Sequence, residues 1–146
     1  QNVRAELVLA AVLCGQGTDY TGAGIMTVLG HAIGARHGVE NGIANVIVLP
    51  AALHFNADSA AEGLNKVAAS LGLEEFKVGS DVSIVVEAVE SMLDTVDIPR
   101  RLRVVGVPRE SLASIAEIAM GDWFLRGNPR AVNSAAEVQG ILEESW

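Results

Sequence analysis

Apolar residues recur along this chain at spacings of three and four, the period of helices that bury one face. Between Val3 and Cys14, the residues Leu7, Ala10, Ala11 and Cys14 share such a face. Gly15 and Gly17 are predicted to end that helix, and Asp19 to Gly24 reads as a turn. From Gly22 to His37 the pattern is a helix of very small residues, with Gly30 and Gly34 one turn apart and open to close approach by another helix or a ligand. Gly38 suits the left-handed residue that stops such a helix, and Asn41 can cap the next. That next segment, Ile43 to Asn56, is apolar on all sides, which predicts a central position. Pro50 lies within it and removes a backbone bond, so a kink beside a cavity is expected there.

Ser59-Ala60-Ala61-Glu62 has the reciprocal capping pattern, followed by Leu64, Val67, Ala68 and Leu71 on one face and Gly72 as the stop. Asp81 to Val96 carries Val82, Val85, Val89, Met92 and Val96 on one side with Glu87, Glu90 and Asp94 opposite, an amphipathic outer helix. Ile98 to Pro108 reads as a connector. Pro108 opens a helix carrying Leu112, Ile115, Ala116 and Ala119, and Arg126 to Arg130 is a turn. Ser134 and Glu137 cap a last helix whose Val138, Ile141 and Leu142 face inward. The expected fold is all-α, a bundle of about seven helices forming one domain over residues 1–146.

Composition supports this reading: half of the residues are hydrophobic but only 4% are aromatic, which suits helices packed through small and branched aliphatics. A net charge of −8 would repel a phosphate backbone, so nucleic acid is not an expected partner. Arg100, Arg101 and Arg103 are the one basic cluster, with a solvated loop as the default reading and anion binding as the alternative. The single Cys14 excludes an internal disulfide and fits a reducing, cytoplasmic setting; in its apolar helix it reads as a small buried hydrophobe. Neither long uncharged run reads as a membrane span, and the opening lacks the marks of a secretion signal. With helix-like sequence from the outset, the chain looks like the middle of a protein.

The run GHAIGARHGVENGIANVIVLPAALHFN resembles the core of the C-terminal helical domain of the iron-containing (group III) alcohol dehydrogenases, a dehydroquinate synthase-like helical fold. The pattern there is a Gly-His-rich helix, a turn ending in Pro-His-Gly, and an Ala-Asn-apolar-Leu-Pro helix ending in Asn. IPRRLRVVGVPRESL and GNPRAVNSAAEVQGILEESW are similar to that family's tail, so the resemblance spans nearly the whole chain. It implies a two-domain protein in which an N-terminal nucleotide-binding α/β domain holds NAD(P). The helical domain then binds Fe2+ or Zn2+ through an Asp and three His, and the metal polarises the oxygen of a small alcohol or aldehyde.

Carried over by position, the family's Asp and first His lie upstream of this chain. The next His ligand falls on Thr27 and the last on Asn41. Hydroxyl and carboxamide oxygens replace imidazole poorly at iron or zinc, so no metal site is expected and no cofactor is expected in this chain itself. His31 matches a family histidine near the substrate and is the one catalytic candidate, against the plainer reading of a histidine satisfied in a helix groove. His37 lies about 240° around the helix from His31 and does not share its face. His54 reads as a rim residue. A loop carboxylate such as Asp19 or Glu40 beside His31 is too common an arrangement to mark a site. Gly22, Gly24, Gly30 and Gly34 superficially suggest a phosphate loop, but no strand precedes them, and close helix packing explains them better.

Three functions follow. The first is the substrate and metal domain of such a dehydrogenase, with the metal site degraded and no activity from this chain alone. The second is a non-catalytic helical binding or oligomerisation module derived from the family. The third is a metal-independent member in which His31 donates a proton. Exposed apolar surface where the missing domain docks predicts a homo-oligomer.

Overall fold

The computed structural model describes residues 2–73, 76–77 and 79–146. Among these residues seven α-helices follow one another: α1 (Val3–Thr21), α2 (Ile25–His37), α3 (Asn41–Asn56), α4 (Ala61–Ser70), α5 (Ser83–Leu93), α6 (Leu112–Ala119) and α7 (Ala135–Ser145). Short 3-10 turns occupy Leu102–Val105, Arg109–Ser111 and Trp123–Gly127, and no strand occurs among the described residues. The all-α expectation and its helix count hold. None of the helices is long and apolar enough to cross a membrane, among the residues described.

α2 and α3 form an antiparallel hairpin at the centre. Gly38, at φ 70°, takes the left-handed conformation that a β-carbon would strain, and its N–H closes α2 on the Gly34 carbonyl. The helices then approach closely because α2 presents no side chain at two points. A β-carbon at Gly34 would lie 2.6 Å from Asn41 Oδ1, and one at Gly30 would run into the Asn45 carboxamide. Close helix packing is therefore what these glycines serve.

Val28, Leu29 and Ile33 of α2 and Ala44 and Val48 of α3 are fully enclosed, with Leu112 and Ile115 of α6 and Val138 and Leu142 of α7 covering them. A smaller cluster joins Leu64 and Ala68 of α4 to Val85 of α5, with Leu53 of α3 packed against it. Pro50 stands inside α3, where it removes the bond to the Val46 carbonyl while the helix continues on both sides.

The last helix is fastened at both ends. Ser134 accepts from the Glu137 N–H, while Glu137 accepts from the Asn133 N–H at 2.7 Å and from Arg130 at 3.0 Å. At the other end Arg101 donates to the Glu144 carbonyl at 3.1 Å and Arg103 to the Trp146 carbonyl at 2.6 Å. These guanidinium groups satisfy carbonyls that a helix terminus leaves open. The Trp146 indole N–H reaches the Val107 carbonyl at 2.9 Å, and Arg103 and Arg109 lie over its ring. Arg100 faces Glu90 and Asp94. The basic connector thus stays solvent-exposed at Arg101 and Arg103, as expected, and also clasps α7 and α5.

Several local expectations are corrected. α1 runs through Gly15 and Gly17 to Thr21, absorbing the turn expected from Asp19, and stops where Gly22 takes φ 78°. None of its residues is buried, so Cys14 is exposed rather than a packed hydrophobe. Ser59 does not cap α4, whose N-cap is Ala60 without a side-chain bond. Asn41 is the first residue of α3 and Glu40 its N-cap, because the Asn41 side chain turns back onto Gly34. α5 begins at Ser83 and ends at Leu93, leaving Met92 and Val96 exposed.

Candidate functional site

His31 projects from the middle of α2 toward the loop that follows α6. Its Nδ1 lies 3.3 Å from Asp122 Oδ2, and its ring stands 5.9 Å from that of Phe124. Asp122 uses its other oxygen to accept the Phe124 N–H at 2.9 Å, which caps the 3-10 turn Trp123–Gly127. One carboxylate therefore ties the turn to the histidine, and it does so half-buried, at 20% exposure against 43% for His31. Beside the pair lies a recess of about 180 Å³ between α2 and α6, walled by Val28, Ala32, Ala35, Ile118 and Ala119. The recess is smaller than the roughly 300–1,000 Å³ usual for a ligand pocket, with room for only a few heavy atoms beside two convergent polar groups. Trp123 stacks on Phe124 at 4.0 Å between centroids and stays 68% exposed, extending the aromatic wall outward.

Thr27 lies elsewhere. It is one turn before His31 on α2 and lines a different recess, of about 340 Å³, together with Thr18, Leu49, Leu53, Asn56 and Leu64. Asn41 sits beside Gly34, seven residues beyond Thr27 and so about 10 Å further along the helix axis. Among the described residues, no three His, Cys, Asp or Glu side chains gather as a metal-binding set.

His54 is the rim residue expected, 38% exposed, with Nδ1 2.7 Å from Glu144 on α7. His37 ends α2, and its Nε2 is enclosed without a hydrogen-bond partner among the described residues. Neither joins His31, nor do Asp19 and Glu40. The carboxylate that does was not singled out from the sequence, because Asp122 is 91 residues away and nothing local marks it beyond its fitness as a cap.

Also missed was Asn128, in the turn Arg126 to Arg130. Its Oδ1 accepts the Ile25 N–H at 3.0 Å, and its Nδ2 donates to Asn56 Oδ1 at 2.7 Å. Ile25 opens α2 and Asn56 closes α3, so this one side chain locks both ends of the hairpin on that side. Arg130 adds a bond to the Phe55 carbonyl and stacks over the Phe55 ring at 4.1 Å.

The whole chain, residues 1–146, matches the model of the C-terminal region of the Fe-containing alcohol dehydrogenase family. The chain belongs to that family. It is 33% identical to the lactaldehyde reductase of Escherichia coli (strain K12) over 143 residues, 97% of this chain and 37% of that protein. To the protein called probable alcohol dehydrogenase EutG from the same organism it is 28% identical, covering 94% of this chain and 34% of that one. The chain thus spans little more than a third of the curated relatives it matches.

Among solved structures, an alcohol dehydrogenase from Oenococcus oeni superposes with a TM-score of 0.79 at 20% identity, over 86% of this chain and 33% of that one. A 1,3-propanediol oxidoreductase gives 0.69 at 22%, over 84% and 32%. These likenesses concern the fold. Within this family domain the chain has His31 beside the Asp122 carboxylate, and Thr and Asn at 27 and 41.

Proposed function

We propose that this is the helical substrate-binding part of a protein that interconverts small alcohols and aldehydes with NAD(P), and that its own residues hold no metal. The observation that carries the reading is the His31–Asp122 pair at the edge of a small apolar recess. When bound, a nicotinamide would supply or accept hydride. Gly30 and Gly34 are taken up by the contact with α3, which supports placing the nicotinamide on another domain. The family's metal fits no better: Thr27 on α2 and Asn41 at the start of α3 offer a hydroxyl and a carboxamide, poor donors for iron or zinc. The role left to this chain is to seat a small molecule against Ala35 and Ile118 while His31 exchanges a proton with its oxygen.

A nucleotide-binding domain is then the partner expected of these 146 residues, and an unpaired Cys14 suits a cytoplasmic protein. Metal analysis and nucleotide-linked assays of the purified chain test the reading. Expected are no stoichiometric iron or zinc and no turnover by the chain alone, with turnover appearing when a Gly-rich α/β domain precedes it in frame. Stoichiometric metal would overturn the first expectation, and alcohol oxidation by the isolated chain the second.

A second reading, a non-catalytic association module, is favoured by α1. Leu7 at 66% exposure, Leu13 at 57%, and Val8, Leu9 and Val12 beside them present aliphatic surface around the helix with nothing packed on it. A helix apolar on all sides belongs in an interior. Homo-oligomerisation through α1 is expected in sedimentation, and Leu9→Glu with Leu13→Glu should abolish it. A wild-type chain that stays monomeric at high concentration removes this reading.

A further inference from the structure

We infer that Asp122 is the positioning residue of the site: it fixes which nitrogen of His31 carries the proton, and thereby which nitrogen is free to work. The inference deepens the substrate-binding reading above and rests on it for its purpose, though not for its geometry. Ionised Asp122 can only accept. One of its oxygens takes the Phe124 N–H at 2.9 Å, and the other faces His31 Nδ1 at 3.3 Å. A neutral imidazole has one N–H and one lone pair, and the hydrogen bond made by one nitrogen sets the role of the other. With an acceptor opposite Nδ1, the proton sits on Nδ1 and Nε2 keeps its lone pair.

In that form Nε2 can take a proton from an alcohol oxygen in the recess, and as imidazolium it can return one to a carbonyl oxygen. The proton moves between Nε2 and the ligand oxygen; Nδ1–H is retained throughout. The same backbone N–H that caps the 3-10 turn keeps the carboxylate from rotating away, so the cap and the histidine's orientation are one device. Phe124 packs its ring near the imidazole from that turn, and Trp123 stacks on Phe124, so a misplaced turn would displace the aromatic wall as well. The ligand class that fits is a small aliphatic alcohol or carbonyl, with its oxygen at the histidine and its carbons in the apolar recess.

Asp122→Asn separates this role from capping. Asn is as good an N-cap as Asp. Its carbonyl oxygen would keep the Phe124 N–H, which leaves the NH₂ facing His31 Nδ1. Nδ1 must then accept, and the proton moves to Nε2. The measurement is two-bond ¹H–¹⁵N correlation of the imidazole in the 146-residue chain, at a pH where His31 is neutral. Wild type should show Nδ1–H, Asp122→Asn the reversed tautomer, and Asp122→Ala a mixture of the two. Thermal melting of Asp122→Asn close to wild type shows that the turn is kept. A wild-type histidine protonated at Nε2, or an Asp122→Asn protein with the wild-type tautomer, overturns the inference. Failure of the oxidoreductase reading looks different: the tautomer reverses as expected, but the chain joined to a nucleotide-binding domain turns over no alcohol.

Discussion

α1 and α2 are made of nearly the same material, small and branched aliphatics interrupted by glycine with few charges, yet they have opposite fates. In α2, Val28, Leu29 and Ile33 are fully enclosed; in α1 nothing is. Composition and period state only that a helix is suited to an interior. What makes an interior is a partner of complementary shape, and α2 has one because Gly30 and Gly34 admit Asn45 and Asn41 of α3. α1 has good N- and C-terminal caps, with Asn2 accepting from Ala5 and the Gly22 N–H bonded to the Thr18 carbonyl. Capping does not supply what packing does, since most of a helix's stability in a protein comes from burial of an apolar face.

The strongest way to break the comparison is to truncate the same residue type in both helices. Leu29→Ala should cost about 2–5 kcal/mol, the transfer of the removed carbons plus the cavity left in a close-packed core. Leu9→Ala, at 59% exposure, should stay within about 0.5 kcal/mol. Urea unfolding of both variants measures the difference. A comparable cost for Leu9→Ala would mean that α1 is covered in solution.

Glycine offers a finer contrast. Alanine is favoured over glycine in a helix by roughly 0.5–1 kcal/mol. At Gly17 a β-carbon meets nothing, so Gly17→Ala should raise helical circular dichroism without shifting the main unfolding transition. At Gly30 the same carbon runs into the Asn45 carboxamide, and Gly30→Ala should instead destabilise by about 1–3 kcal/mol as α2 and α3 are pushed apart. Equal signs at the two positions would show that the hairpin contact is looser than the structure has it.

This contrast also explains what could be read from the sequence. The α2–α3 hairpin was legible because its signals are local: Gly38 at the stop, two glycines a turn apart, and an all-round apolar helix after them. The ends of α1 were not. Gly15 and Gly17 are weak breakers where no packing decides, and the stop comes at Gly22, whose backbone takes the left-handed conformation. The site divides in the same way. His31 could be picked from its helix and its resemblance, whereas Asp122 and Asn128 act on residues 91 and 103 positions away, and only the fold brings them there. Both look like ordinary turn residues in sequence, because the turn-forming property and the long-range bond use the same short polar side chain.

The smallest effect expected lies at the start of α7, where Glu137 shows how a helix is held when it has partners. The Asn133 N–H, and after it the Arg130 guanidinium, hold the Glu137 carboxyl below the usual glutamate value. A carboxyl with a lowered folded-state pKa stabilises the protein above its unfolded pKa, and that contribution is lost as pH falls through the folded value. Melting temperature should therefore drop on acidification across and below the ordinary glutamate range, with Glu143, lowered by Arg109, and Asp81, lowered by the Ser83 N–H, adding in the same direction. Glu137→Gln should flatten the acid limb slightly while leaving the helical signal of α1 untouched, because the hydrogen bonds Glu137 makes, with Asn133, Ser134 and Arg130, do not involve that helix. An acid limb equally steep in the variant would mean that solvent screens the Arg130 and Asn133 contacts completely at this half-buried position.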